Sequence, residues 1–380
     1  MKEMGSNSST RLAKRTKKAT QECNILEHVN LETVHDELKK WLERHSFDNI
    51  IVKPNWVTAN PLTRTELDLF TATVRTCLEI IESVTVADCP IDKTNFNDVK
   101  SFYKNALKGD KIKVRNLWRD RTIIVDVHDD SLFMPLIEAD KTKYRMGPQR
   151  RTPQEHHFDD THEYGVSKHI YEAEGIIHLP RLKTHRLAGI TGCAKSFIGV
   201  VVKKYWLPHY TQDYDQPSLP TSVERRIRIA RMKERYRIPS KLVPLAIRKY
   251  ILKLAGAKDK VDEYLFGGAW EGNDTIWRTI WDLLQIFKHI PQFYILDGRI
   301  AGQGHGPMKP DPLPLHKIWT GEDALAVDSC GSMALETAKA KMPEGWISPY
   351  RHENIRIFDF MATGDSSPRM IDLEALKQMV

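Results

Sequence analysis

Apolar positions along the chain fall into two patterns that alternate. Short β-branched runs stop at polar or turn residues and read as strands: "NIIVKPN" (49–55), "SVTVADCP" (83–90), "TIIVDV" (122–127), "GIIHLP" (175–180), "FYILDG" (293–298) and "IRIFDF" (355–360). Their nearly continuous apolar character predicts strands covered on both faces, as in parallel sheets. Between them the apolar spacing becomes helical. Leu31, Val34, Leu38, Trp41 and Leu42 form one stripe, and Ile276, Ile280, Leu283, Leu284 and Phe287 form another. "TRTELDLFTATVRTCLEIIES" and "EDALAVDSCGSMALETAKAK" read the same way. The alternation predicts an α/β fold, with a mainly parallel sheet and helices on both faces.

One segment interrupts it. "TSVE" at Thr221–Glu224 matches a capping box. After Pro239, a stripe of Val243, Ala246, Ile247, Tyr250, Ile251 and Leu254 leaves Arg248, Lys249 and Lys253 off its face. This predicts a basic amphipathic helical insertion over 221–260. That segment holds thirteen Lys/Arg against three carboxylates, a local charge of +10, whereas the whole chain carries +7. The positive charge therefore belongs to one segment, and nucleic acid is not the expected partner. A solvated face on a packed helix and peripheral docking on an anionic membrane surface both fit. The expected organisation is a disordered basic tail (1–25), an α/β region (26–220), the insertion (221–260) and an α/β region completing the fold (261–380).

The hydrophobic share of 41% and charged share of 28% fit a soluble globular chain. No run approaches the roughly 18 apolar residues that span a bilayer. The start, "MKEMGSNSSTRLAKRTKKATQE", lacks the apolar centre of a secretory signal. The expected location is the cytoplasm, peripheral to the inner face of the membrane if the basic insertion docks there. The five cysteines include no C-x-x-C pair, so neither a disulfide framework nor an iron–sulfur cluster is expected.

The candidate chemistry gathers around "RLKTHRLAGITGCAKSFIG" (181–199). Lys183 and His185 alternate on an extended chain, so both can point one way. The glycine-bearing turn with Gly189 and Gly192 brings Lys195 back. Such a cluster binds an anion, or lowers a lysine pKa for acid–base or nucleophilic work. Lys53 in "KPNW" adds a cation at a strand end. Asn55, Ser196 and His209 join it as substrate-binding candidates. Asp88 and Asp297 close the strands "VTVAD" and "YILD", where ligands of open sheets sit, and are candidates for a divalent metal. "DGRIAGQGHGP" supplies Gly302, Gly304 and His305 as a ligand-facing loop. "EHHFDDTHE" (155–163) matches no metal spacing and reads as a polar connector before a helix.

Taken in order, "KPNW", "VADCP", "IIHLPRLKTHRLAGITGCAKSFIG", "ILDGRIAGQGHGP" and "GEDALAVD" resemble the domain of unknown function 362 family over roughly residues 49–330. "GGAWEGNDTIWRTIWDL" resembles a subgroup found with polysaccharide biosynthesis genes. The resemblance implies an α/β fold and no established reaction. Some relatives carry ferredoxin-like cysteine clusters, which these five cysteines do not reproduce. Many have Asn where Ser196 stands. A fainter similarity, to nickel-pincer racemases, rests on Lys/His pairs near glycines.

These readings converge on an enzyme for an anionic metabolite, phosphorylated, carboxylated or sugar-linked. Lys183 and Lys195 would hold the anion with Lys53 assisting. His185 would be the general acid–base, and Asp297 would orient a hydroxyl or a metal. Two alternatives stay open: a non-catalytic docking module built on the basic helices, and an iron–sulfur or nickel-pincer-like cofactor protein. The oligomeric state is left open.

Overall fold

The computed structural model describes residues 25–57, 60–90, 96–108, 111–127, 144–145, 156–158, 161–185, 188–207, 210–211, 274–304 and 306–341. The basic segment 221–260, the expected strand at 355–360, His209 and His305 lie outside them.

The main sheet is built from β1 (Leu26–His28), β2 (Asn49–Pro54), β3 (Ser83–Asp88), β4 (Ile112–Asn116), β9 (Ile176–Leu179), β10 (Arg181–His185), β11 (Gly189–Thr191), β13 (Gln292–Gln303) and β14 (Asp311–Gly321). Its order is β1-β14-β13-β9-β2-β3-β4. From β13 to β4 every pairing is parallel, and β1 and β14 add an antiparallel edge. β10 continues the line of β9 past Pro180. It also pairs in parallel with β13, and it turns back on itself through β11.

Alternation along the central strands separates two cores. Ile51, Ile176, Tyr294 and Leu296 face one side, with α5 (Asp274–Ile286) and α6 (Ala324–Thr337). Ile50, Val52, Ile177, Leu179, Phe293 and Ile295 face the other, with α1 (Leu31–His45), α2 (Leu67–Leu78) and α3 (Phe96–Ala106). Strands buried on both faces cannot alternate apolar with polar, which is why they read as continuous apolar runs. The stripe Val34, Leu38, Trp41 and Leu42 is the buried face of α1, and Asn30 caps that helix by accepting from the Thr33 N–H. The fold is thus an α/β protein with a mostly parallel main sheet and helices on both faces.

Three expectations are corrected. "TIIVDV" does not enter the main sheet: β5 (Thr122–Asp126) pairs antiparallel with β8 (Thr161–Ser167) in a small half-exposed sheet, β8 leads into α4 (Lys168–Tyr171), and β6 (Tyr144–Arg145) pairs separately with β12 (Tyr210–Thr211). "EHHFDDTHE" is not a connector before a helix. It forms the tight antiparallel pairing of β7 (His157–Phe158) with β8, where the His156 ring stacks on Trp206. "YILD" does not end a strand, because β13 runs on to Gln303 with a register shift between Gly298 and Ile300. A bulge lets a strand absorb a glycine without stopping.

Candidate functional site

The carboxyl ends of β2, β3 and β9 and the whole of β10 lie together, and the polar residues of the otherwise apolar strands collect there. Lys53 on β2 stands opposite His178 on β9 in the register. Lys53 donates to Asp88 Oδ1 at 3.3 Å and to the Pro54 carbonyl at 3.1 Å, and both side chains are almost fully buried. The backbone N–H of Cys89 donates to the same oxygen at 2.9 Å. Asp88 Oδ2 is buried without a hydrogen-bond partner.

The segment after β11 closes over this pair. It forms a 3-10 helix, Ala194–Val200. Gly199 sits so close to the lysine that a Cβ there would lie 2.5 Å from Lys53 Nζ. Ser196 Oγ and His178 Nδ1 share a hydrogen bond of 3.0 Å. The His178 ring stacks on Tyr294, and its Nε2 is buried without a partner. Burial, reinforced by the charge on Lys53, holds His178 well below the usual imidazole range, so its ring is neutral.

Two further lysines complete the group. Lys183 Nζ donates to Asn55 Oδ1 at 3.0 Å and to the Arg181 carbonyl at 3.3 Å. Lys204 donates to the Ile198 carbonyl at 2.7 Å and bonds the Cys89 thiol. Lys53, Lys183 and Lys204 are 2%, 0% and 3% exposed. Lys195 differs: it is partly exposed, and among the described residues its ammonium has no hydrogen-bond or ion-pair partner.

Asp88 answers Lys53 and Lys204, while Lys195 lies close enough to repel both Lys183 and Lys204, and in this poorly solvated place the proton affinities of Lys183, Lys195 and Lys204 fall. Burial, then repulsion from Lys195 and Arg181, pushes Lys183 well below the usual lysine range. Burial and Lys204 bring Lys195 down to about 8. Burial also lowers Lys204, although Cys89 and Asp88 oppose it. Burial raises Asp88, against the pull of Lys53 and Lys204. The arrangement therefore combines positive charge disfavoured by burial, which a bound anion would stabilise, with one amine, that of Lys195, partly unprotonated near neutral pH.

The structure brings Lys53, Asn55, Asp88, Lys183, Lys195 and Ser196 into this region and leaves other candidates out. Asp297 is mid-strand. Its carboxylate accepts from the Arg299 backbone N–H, Nε and Nη2 at 2.9–3.1 Å, and Arg299 goes on to Asp68. This ion pair ties β13 to the α2 side of the sheet and takes up the carboxylate proposed to orient a hydroxyl or metal. Among the described residues, no three His, Cys, Asp or Glu side chains converge as a metal site. His185 Nδ1 accepts from the Ala188 N–H at 3.0 Å, which places the ring proton on Nε2 and spends the basic nitrogen inside the turn.

The glycines serve the chain itself. Gly189, at φ +73°, makes the tight return from β10 to β11. Gly192 makes room for the Asp328 carboxylate of α6, which accepts from the Cys193 and Ala194 N–H groups at 2.5 and 3.0 Å. Gly302 packs on Lys183 Cβ, and the Gly304 carbonyl accepts from Thr184.

Three participants were missed from sequence: His178, Lys204 and Asp328. His178 carried a signal, being the one polar residue within "GIIHLP", a strand buried on both faces. Lys204 and Asp328 had none beyond their residue type.

The model of the domain of unknown function 362 family matches residues 50–333 of this chain. A parallel α/β frame with a lysine-rich carboxyl edge is thus the setting in which the family assignment falls: the chain belongs to the domain of unknown function 362 family. No curated protein matches it. Among solved structures it is similar to the crystal structure of a Thermotoga maritima protein determined by the Northeast Structural Genomics Consortium. The two share 11% identity, with a TM-score of 0.39 over 83% of this chain and 60% of the other. The chain thus spans less than two thirds of the length of that protein.

Among the described residues, no helix is long and apolar enough to cross a membrane.

Proposed function

We propose that the protein is an enzyme acting on a small anionic metabolite, phosphorylated, carboxylated or sugar-linked, bound at the carboxyl edge of the main sheet. The observation that carries this reading is the cluster of Lys53, Lys183, Lys195 and Lys204, three of them with almost no exposure, in which Asp88 answers Lys53 and Lys204 while Lys195 lies against Lys183 and Lys204. Burying cations without counter-charge is costly, and a site kept in that state is poised for an anion. Lys183 and Lys204 each keep an ammonium N–H beyond the two bonds described, and Lys195 keeps all three. Proton transfer is assigned to Lys195 rather than His185, because the Lys195 amine has no hydrogen-bond partner among the described residues and the His185 Nδ1 is occupied.

The test is thermal unfolding with inorganic phosphate against chloride at matched ionic strength. Phosphate is expected to raise the Tm of the wild-type protein, since a ligand of the folded state stabilises it by mass action. The increment should vanish in Lys183→Met and Lys195→Met. The quantity compared is the phosphate increment, because removing a buried charge can itself stabilise. Equal increments in all three proteins would mean that phosphate acts elsewhere, and the reading would fall.

A pH dependence follows. In the folded protein Lys195 titrates at about 8, below its ordinary 10.5. Between these values the unfolded chain binds more protons at this position, so stability rises with pH through the window. Urea unfolding at pH 7.5 and pH 10 should therefore show wild type gaining on Lys195→Met at the higher pH. A difference independent of pH would show that Lys195 is an ordinary solvated lysine.

A further inference from the structure

Three of the four lysines are buried and engaged, by Asp88, by Asn55 and by the Ile198 carbonyl with the Cys89 thiol. Lys195 alone of the four is partly exposed and, among the described residues, has no partner. It lies on the same 3-10 helix as Ser196, whose hydroxyl is fixed by His178. The amine is therefore held beside Lys183 and Lys204, with no hydrogen-bond partner among the described residues.

We propose that Lys195 is a covalent amine, and that the substrate class of the site is an anion bearing an aldehyde or ketone, captured as an imine. This rests on the anion-binding reading above and adds the functional group beside the anion. The unprotonated Nζ attacks the carbonyl carbon. The C–N bond forms as the π pair moves to oxygen, giving a carbinolamine. The oxygen then leaves as water, taking the two protons that nitrogen gives up. From lysine ammonium and carbonyl the products are a protonated imine and one water, so charge and atoms balance and no oxidant or reductant is needed. Lys183 and Lys204 hold the anion, and Lys204, as a neighbouring cation, favours the neutral amine of Lys195.

Pyridoxal 5′-phosphate, an aldehyde with a phosphate, serves as the probe. The protein is treated with less than one equivalent, reduced with borohydride to fix any imine as a secondary amine, and mapped by peptide mass. Lys195 is expected to label at least about tenfold faster than the exposed Lys100, with a rate that rises through a midpoint near pH 8. Lys204→Met should move that midpoint upward, because a repelling cation is gone. Lys195→Arg, which keeps the charge, should lose the label while retaining the wild-type circular dichroism spectrum. Pyridoxal without the phosphate should label Lys195 more slowly, and Lys183→Met should erase that difference. Labelling of Lys195 no faster than Lys100 overturns the proposal. If the phosphate-dependent rise in Tm survives that result, anion binding stands without imine chemistry; if it is absent too, both readings fall.

Discussion

Asp88→Leu will destabilise the protein by about 3–5 kcal/mol, the usual cost of removing one partner from a buried ion pair. Lys53 is then left with a charge, nearly no solvent and only the Pro54 carbonyl. Lys204 loses its nearby carboxylate as well. The converse variant, Lys53→Met, is expected to cost less, about 1–3 kcal/mol. Asp88 keeps the Cys89 N–H, and burial already favours its neutral acid form. The double variant should be more stable than the sum of the two losses predicts, because both changes act through one contact. Urea unfolding of the four proteins measures this cycle. An Asp88→Leu midpoint equal to wild type would show that Lys53 does not depend on this carboxylate.

Gly192→Ala is the second large effect, expected at about 3 kcal/mol or more, in the range of forced overpacking with a broken buried bond. An added Cβ runs into the Asp328 carboxylate. That carboxylate is the acceptor for the Cys193 and Ala194 N–H groups, which open the 3-10 helix carrying Lys195 and Ser196. Displacing it leaves buried donors unpaired and releases the segment that closes over Lys53. Asp328→Ala should cost a similar amount by the direct route. The double variant should be no worse than Asp328→Ala alone, since the clash disappears with its target. Additive losses in urea unfolding would show that Gly192 matters for another reason.

The frame of the protein was legible along the chain. Burial on both faces makes a strand apolar throughout, so β2, β3, β9 and the first half of β13 announced themselves in "NIIV", "VTVA", "GIIHL" and "FYIL". A helix buried on one face repeats its apolar residues at helical spacing, and α1, α2, α5 and α6 were found by that repeat. β4 was not, because its half-buried pattern of "IKVRN" at the sheet edge is too polar to stand out. β14 was hidden by Pro310, Pro312 and Pro314, which an edge-side strand tolerates and an isolated sequence reads as a break.

Residue type and strand position together placed Lys53, Asp88, Lys183 and Lys195 near one another, since the carboxyl ends of parallel strands converge by topology. Which side chain meets which was decided only in three dimensions. Asp297 has the same sequence credentials as Asp88, an acid after a buried run. Asp88 turns to Lys53, while Asp297 is claimed by Arg299, a contact set by a strand that continues past it. His178 and Lys204 enter the site through register and through the path of the 3-10 helix, neither of which is a property of local sequence. The glycines, read from sequence as room for a ligand, turned out at position 192 to be room for Asp328, 136 residues further along the chain. Sequence fixes what each segment must bury; the partner of a buried charge depends on segments distant in the chain, and only their packing selects it.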